Sequence, residues 1–192
     1  MKWNLPLALT FGRVLAIPAV LALFYLPIPH ARQWACALYS AACITDWLDG
    51  YLARKWNQTS KFGAFLDPVA DKLMVAVTLV CLLHSAPIGM SNVLEGLLAA
   101  MVAVIIGREI TVSALREWMA ELGRRAKVSV SVIGKVKTAF QMTAIGMMIW
   151  EIPTWGLPWY SMGYWLLLVA AVLTLYSMIQ YLLAAWPLLR KG

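Results

Sequence analysis

Charged residues are scarce in this chain: Asp, Glu, Lys and Arg make up only 13% of its 192 residues. An ordinary soluble domain has about 25%. Apolar residues reach 62% instead, and a soluble protein of this length cannot bury so much apolar surface. The composition therefore excludes an ordinary soluble domain and indicates a protein that lies in a lipid bilayer.

Cysteine and histidine are also rare, with three and two residues respectively. Cys36, Cys43 and Cys81 lie inside apolar runs, and their spacing matches no zinc or redox motif. We interpret them as small packing residues. His30 and His84 are expected at the outer side of the membrane, away from the acidic residues, and we assign them no role. The sequence therefore gives no support for zinc chemistry or for a disulfide framework.

Six apolar runs dominate the chain, and each can cross a bilayer as a helix of roughly 20 residues. They cover residues 5–26, 33–53, 62–83, 93–118, 136–152 and 159–186. No repeat, low-complexity segment or soluble domain separates them. The predicted fold is therefore all-α, a polytopic membrane protein with six transmembrane helices that form a single transmembrane domain over residues 1–192.

The basic residues are distributed unevenly between the two ends of these runs. Thirteen Lys and Arg lie at one end and one, Arg32, at the other, while Lys72 and Arg108 fall inside runs. Because positive residues remain on the cytoplasmic side, this asymmetry places both termini in the cytoplasm. A net charge of +7 can indicate nucleic-acid binding, but here anionic lipid explains it better. We expect no nucleic-acid partner.

Aspartate occurs at only four positions, all within one short window: Asp46, Asp49, Asp67 and Asp71. The spacing within each pair places both carboxylates on one face of a helix, and the short connection between the second and third runs brings the two helices together. Four clustered carboxylates repel each other unless cations neutralise them. Hard oxygen ligands suit Mg²⁺ or Mn²⁺, which substrate phosphates usually complete. The window predicts a two-metal site for a phosphate-bearing substrate.

Small and basic residues accompany the acids. Gly50, Ala53 and Gly63 lie within one turn of an aspartate and give a bulky ligand access to the helix backbones. Arg54 and Lys61 flank the connection and can bind phosphate oxygens.

Four further basic residues have two interpretations each. Arg108, Lys135 and Lys137 lie near the cytoplasmic ends of the fourth and fifth runs. They can clamp a second phosphate, or Arg108 can pair with an acid while the lysines follow the positive-inside rule. Arg13 can contact a lipid-linked substrate or extend to the membrane surface.

Two alternatives to a catalytic site remain open at this point. Carboxylates within membrane helices can be structural ion-pair partners, and they can also bind transported cations. A divalent-cation transporter would normally hold its ions near the bilayer midplane. These aspartates lie near the ends of their runs, which favours an enzyme.

Read in order, the window is Asp46-x-x-Asp49-Gly50-x-x-Ala53-Arg54, eight residues, then Gly63-x-x-x-Asp67-x-x-x-Asp71. This pattern resembles the signature of the CDP-alcohol phosphotransferase family. The resemblance implies transfer of a phosphatidyl group from CDP-diacylglycerol to an alcohol, with release of CMP. It implies that the four aspartates hold two Mg²⁺ or Mn²⁺ ions, that Asp71 is the general base, and that Gly50, Arg54 and Ser60 contact the CDP moiety.

Further segments at 4–13, 107–119 and 134–142 resemble the bacterial branch of this family that makes phosphatidylglycerophosphate. The resemblance implies sn-glycerol 3-phosphate as the acceptor, and we expect Arg108, Lys135, Lys137 and Lys61 to bind its phosphate. It also implies a homodimer in the bacterial cytoplasmic (inner) membrane, with the site facing the cytoplasm. The signature does not separate this acceptor from inositol phosphate, serine or phosphatidylglycerol, so a sister enzyme is the main alternative.

Overall fold

A computed structural model describes residues 5–56, 61–87, 89–121 and 132–189 of the chain. These residues form six helices: α1 (Leu5–Tyr25), α2 (Ala31–Trp56), α3 (Lys61–His84), α4 (Asn92–Glu121), α5 (Val132–Trp150) and α6 (Trp159–Leu189). The described ranges contain no strand, only an isolated bridge between Thr154 and Leu157. The all-α prediction is confirmed.

Three of these helices contain segments that are long and apolar enough to cross a membrane: Ala8–Tyr25, Asn92–Met119 and Trp159–Leu183. The remaining helices, α2, α3 and α5, carry the aspartates and several of the lysines, which lower their mean hydropathy.

Proline and left-handed residues end the helices. Pro27 follows the end of α1, and His30 has a φ of 59° just before α2 begins. The end of α5 is similar, because Glu151 has a φ of 57° and Pro153 follows it. The sequence predicted the fifth run at 136–152, but α5 covers Val132–Trp150. Hydropathy alone placed the start after Lys135, whereas the helix already begins at Val132.

The helices pack as two connected groups. α1 contacts α2 and α3, α6 contacts α4 and α5, and further contacts of α2 with α5, α3 with α4 and α3 with α5 join the groups. The largest fully buried apolar side chains come from all six helices: Val20, Tyr39, Leu79, Leu82, Leu98, Ile105, Ile145, Met148, Ile149 and Leu167. The site-bearing helices α2, α3 and α5 therefore share one continuous core with the others.

One end of the bundle is tied together by Arg32 at the start of α2. Its Nε donates to Glu151 Oε2 at 2.9 Å, and its Nη1 donates to Ser85 Oγ at 3.1 Å. The guanidinium also lies over the Phe24 ring, 4.3 Å from its centroid. Arg32 directly follows the connection after α1, and Ser85 and Glu151 begin the connections after α3 and α5, so all three connections meet at this end. The aspartates of α2 and α3 lie towards the opposite end.

The most extensive helix contact joins α5 and α6, and Gly163 makes it possible. A Cβ built at Gly163 would lie 2.7 Å from the Ala144 carbonyl oxygen and 2.8 Å from Met148 Cγ. Backbone atoms cannot move away as a flexible side chain can, so only glycine allows this approach.

Gly163→Ala should lower the thermal unfolding temperature of the detergent-solubilised protein, because the added methyl group forces α5 and α6 apart. Overpacking of this kind costs about 1–3 kcal/mol. Gly96→Ala on α4 is the matched control, since a Cβ there meets nothing within 4 Å. Equal unfolding temperatures for the two variants would contradict this account of the α5–α6 contact.

Candidate active site

Three of the four aspartates come together where α1, α2 and α3 meet. Asp46 lies on α2, and Asp67 and Asp71 lie one turn apart on α3. Pro68 lies between the latter two and lacks a backbone donor, so it interrupts the helical hydrogen bonding beside the carboxylates. Asp49 is on the same helix as Asp46, but its side chain is outside the described part of the structure.

Arg13 of α1 is the centre of this acidic cluster. Its Nη1 lies 2.5 Å from Asp71 Oδ1, 3.0 Å from Asp46 Oδ1 and 3.8 Å from Asp67 Oδ1. The whole residue is only 3% exposed. Of the two interpretations offered by the sequence, extension to the membrane surface is therefore wrong: the guanidinium is buried among carboxylates. One signal in the sequence could have indicated this burial. Arg13 is an arginine inside an otherwise uncharged apolar run, and the aspartates of the second and third runs are available to pair with it.

Thr10 adds a second contact from the same face of α1. It lies one turn before Arg13, and its hydroxyl donates to Asp67 Oδ1 at 2.6 Å. Thr10 is also buried. α1 therefore forms a wall of the site rather than a peripheral membrane anchor.

The donor set of this cluster fits a hard divalent cation. Three carboxylate oxygens converge on one positively charged nitrogen, and all-oxygen ligation is what Mg²⁺ and Mn²⁺ prefer. As they stand, the described side chains include no group of three or more His, Cys, Asp or Glu arranged to hold a metal ion. Arg13 Nη1 lies at the point on which the three carboxylate oxygens converge. The guanidinium therefore occupies the position where a metal ion would be expected.

A second charged cluster joins α4, α5 and α6 around Glu109. Arg108 Nη1 donates to Glu109 Oε1 at 2.8 Å, and Lys137 Nζ donates to the same oxygen at 3.0 Å. Arg108 Nη2 also donates to Ser177 Oγ at 3.3 Å. The sequence allowed Arg108 either to pair with an acid or to clamp a phosphate. The structure shows the pairing, and it shows that Lys137 shares the partner.

A cavity of about 240 Å³ connects the two clusters. Its polar lining consists of Asp46, Asp71, Lys72, Glu109, Thr138 and Gln141. Lys72 is held in this wall by donating a hydrogen bond to Ser113 of α4. A ligand in the cavity would therefore contact the acidic cluster at one side and the Glu109 cluster at the other.

The structure describes only part of the predicted site. Gly63 lies on α3, one turn before Asp67, as expected. Gly50, Ala53 and Arg54 lie on α2, while Lys61 begins α3 and Lys135 is in the first turn of α5. Their surroundings, and all of Ser60, are outside the described part. Sequence reasoning did not assign a role to Thr138 or Gln141, although both fall within the 134–142 segment.

Known proteins resemble this chain over nearly its whole length. The family model for CDP-alcohol phosphatidyltransferase matches residues 3–186. The chain is 48% identical over 185 residues to the CDP-diacylglycerol–glycerol-3-phosphate 3-phosphatidyltransferase of Salmonella choleraesuis (strain SC-B67), covering 96% of each chain. Proteins with the same name from Escherichia coli (strain K12) and Shigella flexneri serotype 5b (strain 8401) are 48% and 47% identical with the same coverage.

These matches confirm the resemblance found in the aspartate window and in the segments at 4–13, 107–119 and 134–142, and they extend it to α6. An identity near one half over 96% of both chains is far above the level at which a shared family is in question. The chain belongs to the CDP-alcohol phosphatidyltransferase family.

Proposed function

We propose that this protein transfers the phosphatidyl group of CDP-diacylglycerol to sn-glycerol 3-phosphate, giving phosphatidylglycerophosphate and CMP. The observation that carries the proposal is the cavity that joins the acidic cluster to the Glu109 cluster. It offers carboxylates for the reacting hydroxyl at one side, and at the other side it reaches Glu109, which is paired with the cations Arg108 and Lys137. The names of the full-length relatives describe this reaction.

The CDP-diacylglycerol site is proposed at the signature residues Gly50, Ala53, Arg54, Ser60 and Gly63. Small residues beside the aspartates leave the helix backbones accessible to the pyrophosphate. Arg54 supplies a guanidinium that can bind two phosphate oxygens together. The position of Gly63 one turn before Asp67 supports this arrangement.

The four aspartates Asp46, Asp49, Asp67 and Asp71 are proposed to hold two Mg²⁺ or Mn²⁺ ions. The family generally uses divalent metal ions, and the convergent carboxylates support their binding here. Bound ions would neutralise the pyrophosphate and stabilise the leaving CMP. In this scheme Arg13 holds Asp46, Asp67 and Asp71 close together before an ion arrives, and its guanidinium must leave the point of convergence for an ion to bind there.

Asp71 is proposed as the general base. It belongs to the acidic cluster and also lines the cavity, so it can face the metal ligands and the acceptor together. It would take the proton of the acceptor hydroxyl while the oxygen attacks the phosphatidyl phosphorus and the bond to CMP breaks. The electrons of that bond leave with CMP.

The acceptor phosphate is proposed to bind at Arg108 and Lys137, with Lys135 and Lys61 contributing further charge. Arg108 and Lys137 are two cations against the single carboxylate of Glu109, so the cluster retains a positive charge. Within the described residues, Arg108 Nε is buried without a hydrogen-bond partner. A phosphate would supply both the missing charge and an acceptor for such a donor.

The proposed setting is the bacterial cytoplasmic membrane, crossed six times by one transmembrane domain with both termini in the cytoplasm. The thirteen-to-one distribution of basic residues supports this orientation. The single exception, Arg32, belongs to the end where three connections meet, which supports a common side for those connections. The family resemblance further suggests a homodimer whose site faces the cytoplasm.

The first test is an acceptor panel. Purified protein in mixed micelles with CDP-diacylglycerol and Mg²⁺ should release CMP when glycerol 3-phosphate is added, and not with inositol phosphate, serine or phosphatidylglycerol. EDTA should abolish the release, and added Mg²⁺ or Mn²⁺ should restore it. Release with a different acceptor would identify a sister enzyme. Full activity in EDTA would rule out the metal site, and divalent-cation uptake into proteoliposomes without CMP release would identify a transporter.

Asp71→Asn tests the proposed role of Asp71 as base, which the other three aspartate ligands do not share. The amide retains the size and one oxygen but cannot accept a proton, so single-turnover CMP release should fall by at least roughly 10²-fold. Metal-dependent binding of CDP-diacylglycerol should remain. Asp46→Asn is the matched control and should instead weaken that binding, because a charge that holds the cation is lost. Near wild-type turnover by Asp71→Asn would refute its role as base.

The topology can be tested by labelling single cysteines in a variant whose Cys36, Cys43 and Cys81 are replaced by alanine. Glu117→Cys, on the exposed side of α4 towards the site end, should react with a membrane-impermeant maleimide only after spheroplasts are permeabilised. Ile152→Cys, beside Glu151 at the other end, should react in intact spheroplasts. Both residues are exposed. Reaction of both from one side would contradict the six-span arrangement.

A further inference from the structure

Gln141 of α5 is a buried polar residue that the scheme above does not use. It is only 4% exposed. Its side-chain oxygen Oε1 is buried without a hydrogen-bond partner among the described residues. Buried side-chain oxygens nearly always accept a hydrogen bond. The buried, unpaired oxygen of Gln141 therefore indicates that a bound molecule supplies the hydrogen-bond donor.

The residue also lines the cavity that joins the two charged clusters, together with Asp71 and Glu109. At about 240 Å³ this cavity is smaller than the roughly 300–1,000 Å³ of pockets for drug-sized ligands. It therefore suits a small molecule rather than a nucleotide. Gln141 is placed to contact the acceptor, which enters this space, and not the CDP moiety of the donor.

The chemistry of the lining defines what the acceptor must carry. Asp46, Asp71 and Glu109 present carboxylate oxygens beside the ammonium group of Lys72. Gln141 adds an amide oxygen that can only accept a hydrogen bond. A hydroxyl group is the uncharged donor that such a surface recognises. One hydroxyl of the acceptor is consumed by the reaction at Asp71, so the oxygen of Gln141 needs a second one.

We propose that Gln141 is a specificity-determining residue, which accepts a hydrogen bond from a second hydroxyl of the acceptor next to the one that reacts. This inference rests on the proposed function. Glycerol 3-phosphate has two adjacent hydroxyls and a phosphate, so Asp71, Gln141 and the Arg108–Lys137 pair would each bind a different group of it. An acceptor without the second hydroxyl would leave the amide oxygen unpaired.

The test compares two acceptors that differ only in that hydroxyl: glycerol 3-phosphate and 3-hydroxypropyl phosphate. The wild-type protein should have a kcat/KM roughly 10-fold or more higher for glycerol 3-phosphate. Gln141→Met has a similar length and shape but no hydrogen-bonding oxygen. It should lose this preference by lowering kcat/KM for glycerol 3-phosphate, and remain within about twofold of wild type with 3-hydroxypropyl phosphate.

Arg108→Gln is the matched comparison, because both acceptors carry the phosphate. This variant should raise the KM for both by the same factor, leave the preference for glycerol 3-phosphate intact, and leave the KM for CDP-diacylglycerol unchanged. If Gln141→Met does not fold, Gln141→Asn keeps an amide but withdraws its oxygen by one methylene group. It should show the same selective loss.

Several outcomes would overturn the inference. Equal losses with both acceptors in Gln141→Met would show that the residue only supports the packing of α5. A wild-type protein that does not distinguish the acceptors, or a Gln141→Met variant that keeps the preference, would also refute it. A changed Mg²⁺ requirement would make Gln141 a metal ligand instead. If the wild-type protein uses neither acceptor, the proposed function itself fails and the inference fails with it.

Discussion

The contact of Arg13 with three carboxylates determines how the first three helices can approach each other. A buried guanidinium needs paired partners, and removing one side of a buried ion pair typically costs about 3–5 kcal/mol. Asp46, Asp67 and Asp71 come from two helices, and they need a cation between them because neighbouring carboxylates repel each other. The mutual requirement fixes the register of α1 against α2 and α3 without any metal. It also explains why α1, which carries no aspartate, is part of the site.

The Glu109 cluster makes an equivalent connection in the second half of the bundle. Glu109 joins α4 to α5 through Lys137, while Arg108 reaches Ser177 of α6. Arg116, two turns further along α4, donates to the Tyr181 hydroxyl at 3.0 Å, and Tyr181 lies 6.0 Å from the Arg108 guanidinium. Three cations, Arg108, Lys137 and Arg116, thus lie around Glu109 at one end of the cavity, whereas three aspartates surround the single cation Arg13 at the other. An acceptor with a phosphate at one end and hydroxyls at the other matches this polarity.

Much of the fold and part of the site were predictable from the sequence, because both depend on local patterns. The apolar runs predicted six helices, and the spacing of Asp67 and Asp71 placed both on one face of α3. The partner of Arg13 was not predictable, since hydropathy describes one helix at a time and does not say which helices meet. Gln141 was missed for a related reason: a single amide in an apolar run has no spacing pattern. Only the cavity and the missing partner of its oxygen distinguish it.

The tie at Arg32 has a consequence for the order in which the chain assembles during synthesis. Arg32 and Glu151 are 119 residues apart, and a chain leaves the ribosome N-terminus first. Ser85 is therefore made well before Glu151, the carboxylate partner of Arg32. The ion pair between Arg32 and Glu151 can form only when α5 has been made and its C-terminal end lies beside the start of α2. The Arg32–Glu151 ion pair is thus formed late in biogenesis. It stabilises only those chains whose fifth helix has been inserted in the correct direction.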